Sequence, residues 1–258
     1  GYLAGTYGVD LFELTEALER FDRERAVTPF MTMLSAYAVL LAHLGGASDL
    51  VIGANVANRP RAELEQVIGY FVNQVALRIR LERDPSFDEL VERVRGVTLA
   101  SYDHETFPFD RLVEALRPER DFGHSAIFQA KIAFHNVPMP KFDIAGLRFE
   151  HVPLDVSHVE LDLVLHVFRQ PEGIRIAFEY RAELFDAATI ADHAELFRVV
   201  LRAALERPGI RLGDLLAVVA EASKAFAESR RSERLAARRA RLGRVDRKTL
   251  LSHQPGEA

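Results

Sequence analysis

An α/β fold, a mixed β-sheet flanked by helices, is what this sequence predicts, and three observations carry the prediction. Segments of helical and strand period alternate along the chain instead of falling into separate blocks, the order that lays helices against a sheet. The segment Asp49 to Val56 has so few polar residues that it suits a strand covered on both faces. Later, Leu147 to Val152, Leu161 to Phe168 and Ile174 to Tyr180 follow one another with no helix between them, as in a meander.

Taken in order, Leu11, Leu14, Leu18 and Phe21 recur at helical spacing, so Leu11 to Arg25 reads as a short helix or linker. Residues 1–25 are therefore expected to lead into the lobe. At Thr28-Pro29 a helix opens, because Thr caps free amides and Pro at the first helical position has no N–H to leave unsatisfied. It runs through Met31, Leu34, Tyr37, Ala38 and Leu41 to Gly45-Gly46, apolar nearly all round and so buried. Asp49 to Val56 is the next strand, Arg59-Pro60 ends it, and Glu63 to Val67 reads as a short helix.

In Ile68 to Arg78, Val75, Leu77 and Ile79 alternate with Ala76, Arg78 and Arg80, the period of a strand with one buried face. Gly69 and Asn73 are poor strand formers, so the chain must turn sharply or approach something closely there. Ser86 with Glu89 forms a capping box for a helix reaching about Asp103, and Pro108 restarts the chain into another that ends near Arg117-Pro118. Ile127 to Phe134 is a long strand, and Gln170-Pro171-Glu172-Gly173 is a hairpin turn. Asp186 caps a closing helix whose Ile190, Ala194, Phe197 and Leu201 face one way. These elements place the lobe at residues 26–215 and leave 216–258 as an Arg-rich helical tail or linker.

Composition narrows the function. With 48% apolar residues in 258, the chain can bury a core. No apolar run approaches the ~20 residues of a membrane span, and Gly1 to Asp10 does not read as a signal peptide. The absence of cysteine removes disulfides, thiolate nucleophiles and Cys-based zinc sites, which fits the cytoplasm. Neither a phosphate-binding Gly-x-x-x-x-Gly-Lys nor a His or carboxylate pair at metal spacing occurs, so no bound cofactor or metal is expected. The net charge of −5 hides a basic stretch, Lys224 to Lys248, with ten Lys or Arg against Glu228, Glu233 and Asp246. Its single aromatic, Phe226, gives no base-stacking pattern for nucleic acid. An Arg stripe on one helix face instead suits an acidic partner or a link to another domain.

Three ordered segments resemble a known family. Gly69-Tyr70-Phe71-Val72-Asn73 with its following strand is similar to a core motif of condensation domains from nonribosomal peptide synthetases. Asp49 to Arg59 resembles the family's upstream strand and loop, and His104 to Val113, with Phe107-Pro108-Phe109, its downstream loop and helix. Arg120-Asp121 before the Ile127 strand resembles its last motif, although His124 and Ser125-Ala126-Ile127 replace the usual Ser and Asn-Pro-Leu. The resemblance runs from about Thr28 to about Leu205. It implies the C-terminal lobe of a chloramphenicol-acetyltransferase-like fold, acting in amide-bond formation between thioesters carried on the phosphopantetheine arms of acyl or peptidyl carrier proteins.

The same resemblance exposes a gap. The family's His-His-x-x-x-Asp-Gly, whose second His would position the acceptor amine or take its proton, is absent, and no His-His pair occurs among nine histidines. His151 with Asp155 and His158 with Asp162 have the outer spacing, yet Val156 and Leu163 stand where Gly belongs, and positions i and i+4 of a strand lie about 13 Å apart. A first lobe, or a neighbouring synthetase domain, is thus expected to supply catalysis. Two alternatives stand beside this reading: a catalytically silent module that docks carrier or partner proteins, and a divergent acyltransferase using His158.

Each candidate residue has a functional and a structural reading. Asn73, with Gly69 and Phe71, would line the substrate tunnel between lobes, or Asn73 would satisfy its own strand. Arg59 would pair across the lobe interface, or bridge locally. Arg120 and Asp121 are expected to form an ion pair, and Pro108 to fix its turn. His104, Glu105 and Asp110 look like an acid–base cluster but read better as a loop and helix cap.

Overall fold

The computed structural model describes residues 2–59, 61–118, 125–135, 147 and 158–251. In chain order these form β1 (Tyr2–Asp10), α1 (Phe12–Arg25), α2 (Pro29–Gly45), β2 (Asp49–Val56), a 3-10 turn (Ala62–Leu64), β3 (Asn73–Arg80), α3 (Phe87–Tyr102) and α4 (Phe109–Leu116). There follow β4 (Ala130–His135), β5 (His158–Val159), β6 (Leu163–Gln170), β7 (Gly173–Arg181), α5 (Ala187–Glu206) and α6 (Leu212–Leu251). The strands make one mixed sheet in the order β3-β2-β4-β6-β7-β1-β5. β2, β4 and β6 run parallel, and the remaining neighbours are antiparallel.

Capping chemistry sets the helix starts as the sequence implies. Thr28 Oγ1 accepts from the Met31 amide ahead of Pro29, and Asp186 Oδ1 accepts from the Thr189 amide at 2.6 Å. The Ser86 amide donates to Glu89 Oε2 at 2.8 Å while Ser86 Oγ accepts from the Glu89 amide at 3.2 Å, closing the capping box. α2 is buried from Met31 to Leu40, as an all-round apolar helix must be. Each of its large apolar side chains, such as Met33 and Leu34, stabilises by about 1.5–3 kcal/mol through burial, so Leu34→Ala would cost about 2–5 kcal/mol.

Strand alternation divides the packing between two faces. Ile52, Leu77, Ile132, Leu165, Ile176 and Phe178 share the main core with α1, α2, α3, α5 and α6. Their alternates Ala133 and Val164 join Phe128 and Leu161 in a smaller core, against which Val51, Ala76 and Phe109 of α4 pack. Gly53 permits this second core, because any Cβ there would collide with the Phe128 ring.

Three segments differ from the sequence reading. Residues 1–25 hold more than a helical lead-in: Ala4–Asp10 pairs with β7 over Arg175–Arg181, and Leu11, Leu14, Leu18 and Phe21 are buried. Gly5 and Gly8 weaken the strand pattern of β1, which depends on its tertiary partner. Position 216 lies inside α6, where Leu215 and Val219 are buried and Phe226 packs on the core. The short helix expected over 63–67 is only a 3-10 turn. Apart from Leu147, the strand expected over 147–152 lies outside the described residues.

Candidate functional site

The face of the sheet turned away from the five core helices is only partly covered. Between α4 and the corner of β1 and β5 it holds a cavity of about 750 Å³, lined by Gln74, Phe109, Asp110, Lys131, His166 and Glu179, among others. The register explains the polar cluster. Lys131, Val164, Glu179 and Thr6 form one row across β4, β6, β7 and β1, and His135, Phe168, Arg175 and Asp10 form another further along the strands. His166 sits in the row between them, opposite Ala133 and Ala177, within diagonal reach of both.

His166 bridges those rows. Its Nε2 is 2.9 Å from Glu179 Oε2, and its Nδ1 is 2.9 Å from His135 Nε2. The His135 ring stacks on Phe168 at 4.5 Å and on His166 at 5.2 Å between centroids. His135 keeps an exposed edge, yet burial of its ring and then the neighbouring His166 lower its pKa. Glu179 is held below the usual carboxylate range, first by the hydrogen bond from His166 and also by the charges of His166 and Lys131. This cluster escaped the sequence reading because its members come from three strands. A signal was available: Lys131, His135, His166 and Glu179 are polar residues at one-face positions of otherwise apolar strands.

The motif loop is built around two clamps. Asn73 Nδ2 donates to the carbonyls of Glu105 and Phe107 at 2.8 and 2.7 Å, and Asn73 Oδ1 accepts from the Phe109 amide at 3.2 Å. Pro108, at the N-cap of α4, has no side-chain cap to offer, so Asn73 satisfies the helix's first amide from a neighbouring strand. Arg59 donates to the carbonyls of Leu64 and Val67 and lies 4.2 Å over the Phe71 ring. That ring rests against Gly69, where a Cβ would stand 2.9 Å from it. Ile68 and Tyr70 beside the clamp are exposed. Arg59 thus makes local structural contacts, whereas Asn73 reaches a distant loop and helix start and fixes the first turn of α4 beside the cavity.

The remaining candidates are dispersed. His158 lines the cavity from β5, while Asp162 pairs with Arg181 at 3.6 Å. The backbone of His104 to Phe107 forms successive turns, which agrees with a loop-and-cap role for that polar cluster. Arg120, Asp121, His151 and Asp155 lie outside the described residues. In the tail, Arg230 is tied to Asp192 of α5 at 2.6 Å.

A mixed sheet with helices packed on one face and a cavity on the other is an α/β lobe, the architecture of solved condensation domains. The profile of the condensation domain matches residues 2–226, and the chain belongs to that family. It is 39% identical to malpinin synthetase of Mortierella alpina over 191 residues, 74% of this chain and 2% of that protein. A linear gramicidin synthase of Brevibacillus parabrevis is 36% identical over 198 residues, 76% of this chain and 3% of the relative. The chain therefore spans a small fraction of its curated relatives. Among solved structures, the X-domain from teicoplanin biosynthesis is 28% identical with a TM-score of 0.71, covering 82% of this chain and 49% of that one. A four-domain nonribosomal peptide synthetase bound to AMP and glycine superposes with a TM-score of 0.74 at 22% identity, over 82% of this chain and 17% of the other.

Proposed function

We propose that this chain supplies the C-terminal lobe of a site that forms an amide bond between two thioester-bound groups, each carried on the phosphopantetheine arm of an acyl or peptidyl carrier protein. The cavity on the open face of the sheet carries this reading. Its volume, about 750 Å³, lies in the range of small-molecule sites. It is bordered by α4, whose first turn Asn73 of the family motif holds in place. The His-His-x-x-x-Asp-Gly segment would come from a first lobe, so that the two lobes enclose the reacting groups and exclude water. Coverage of about half of the X-domain structure supports a two-lobed whole.

Labelled chain titrated with carrier protein tests this. Carrier bearing an aminoacyl-phosphopantetheine arm is expected to shift the resonances of Gln74, Lys131 and His166, whereas carrier lacking the arm leaves them unmoved. Binding that never reaches the cavity residues would reject the proposal.

A further inference from the structure

We propose that Glu179, His166 and His135 form a proton relay that takes a proton from the primary ammonium group of an aminoacyl substrate at the open face of this lobe. The proposal rests on the condensation reading above and adds a base that belongs to this chain.

Hydrogen-bond logic assigns the protons. An ionised Glu179 can only accept, so His166 Nε2, at 2.9 Å from it, carries hydrogen. Where His166 is neutral, its Nδ1 is a lone pair, and His135 Nε2, 2.9 Å away, donates to it. That leaves His135 Nδ1 as a basic lone pair on a side chain with an exposed edge. Stacking on Phe168 fixes the ring plane, with only 7° between the two rings. Among the described residues no group of His, Asp or Glu has the geometry of a metal site.

The step balances in protons alone. The substrate ammonium gives one proton to His135 Nδ1, and His135 Nε2 gives its proton to His166 Nδ1. The amine becomes neutral, and the positive charge comes to rest on His166 beside the Glu179 carboxylate. No other bond changes, and the proton returns to solvent through His135 once the amine has been consumed. The transfer matters because an α-amino group, with a pKa of about 7.7–8.0, is mostly ammonium at neutral pH and has no lone pair to attack with. Other charged groups facing the relay are Lys131 on β4, Arg175 on β7 with its partner Asp10 on β1, Asp110 on α4, and His158 and Glu160 at the cavity rim. Lys131 favours an ionised Glu179.

Single-turnover amide formation by the whole synthetase, with loaded carriers, tests the relay across a range of about pH 6 to 9.5, which brackets the amine's titration. His135→Gln is expected to slow the wild-type reaction by up to roughly 10-fold near neutral pH and to approach wild type at the alkaline end, where the amine is already free. Glu179→Gln should behave alike. Rates and pH profiles equal to wild type in both variants, or a loss of the same size at every pH, overturn the relay and leave the condensation reading standing. If the wild-type synthetase forms no amide, the condensation reading fails and ring-nitrogen NMR of this chain decides the relay. Glycyl-pantetheine, and not acetyl-pantetheine, is then expected to move His166 toward imidazolium, and identical spectra with both overturn it.

Discussion

Asn73→Ala removes three hydrogen bonds that join a strand to the start of a helix. The side chain serves the carbonyls of Glu105 and Phe107 and the amide of Phe109. Each bond contributes about 1 kcal/mol net, and partial exposure of the partners brings the expected cost to about 2 kcal/mol. α4 has no fully buried residue and no side-chain cap of its own, so the cost should fall on its docking and not on the main core. Hydrogen exchange measures this directly: amides of α4 should exchange roughly 30-fold faster, the equivalent of about 2 kcal/mol, while α2 keeps its protection. Asn73→Asp retains the acceptor for Phe109 but turns a carboxylate toward two carbonyls, and should open α4 at least as much. Unchanged protection of α4 in Asn73→Ala, or an equal loss in α2, would refute the reasoning.

Arg59→Ala should free the loop over 61–72, read as faster limited proteolysis there, and Arg59→Lys should not restore it, because an ammonium cannot span two carbonyls and a ring as the guanidinium does. Gly53→Ala places a methyl group against Phe128 and is expected to cost about 1–3 kcal/mol in denaturant melts; Phe128→Leu in the same chain should recover part of the loss. Burial raises the pKa of Asp22 to about 6 despite its hydrogen bond from Thr32. The native state then holds a proton that the unfolded chain gives up near pH ~4, so this stability is full below that pH and is lost as pH rises through about 6. Asp22→Asn should remove about 2–3 kcal/mol of that pH dependence, measured as the difference between wild-type and variant urea melts; parallel curves would contradict the buried-acid account.

Local chemistry was legible where it acts within a few residues. Thr28, Ser86 with Glu89, and Asp186 each announce a helix start, and the Pro171-Glu172 hairpin is read from its own four residues. β1 was not legible, since two glycines blur its alternation and a distant strand supplies its hydrogen bonds. Asn73 stood out as an unusual residue, but its partners lie more than thirty positions away and only the fold joins them. The histidine pair was hidden in the same way, being 31 positions apart on strands that lie side by side only through a parallel pairing. What the sequence did expose is polarity inside apolar strands, a sign that a sheet face meets something other than the core.

If this lobe and a lobe bearing His-His-x-x-x-Asp-Gly form one amide-forming site, neither should suffice alone. Reconstitution of the two lobes with donor-loaded and acceptor-loaded carrier proteins, followed by mass spectrometry of the acceptor arm, tests this most directly. The account predicts an acceptor heavier by the donor acyl group only when both lobes are present. The same product from the His-bearing lobe alone, at the same rate, would contradict it.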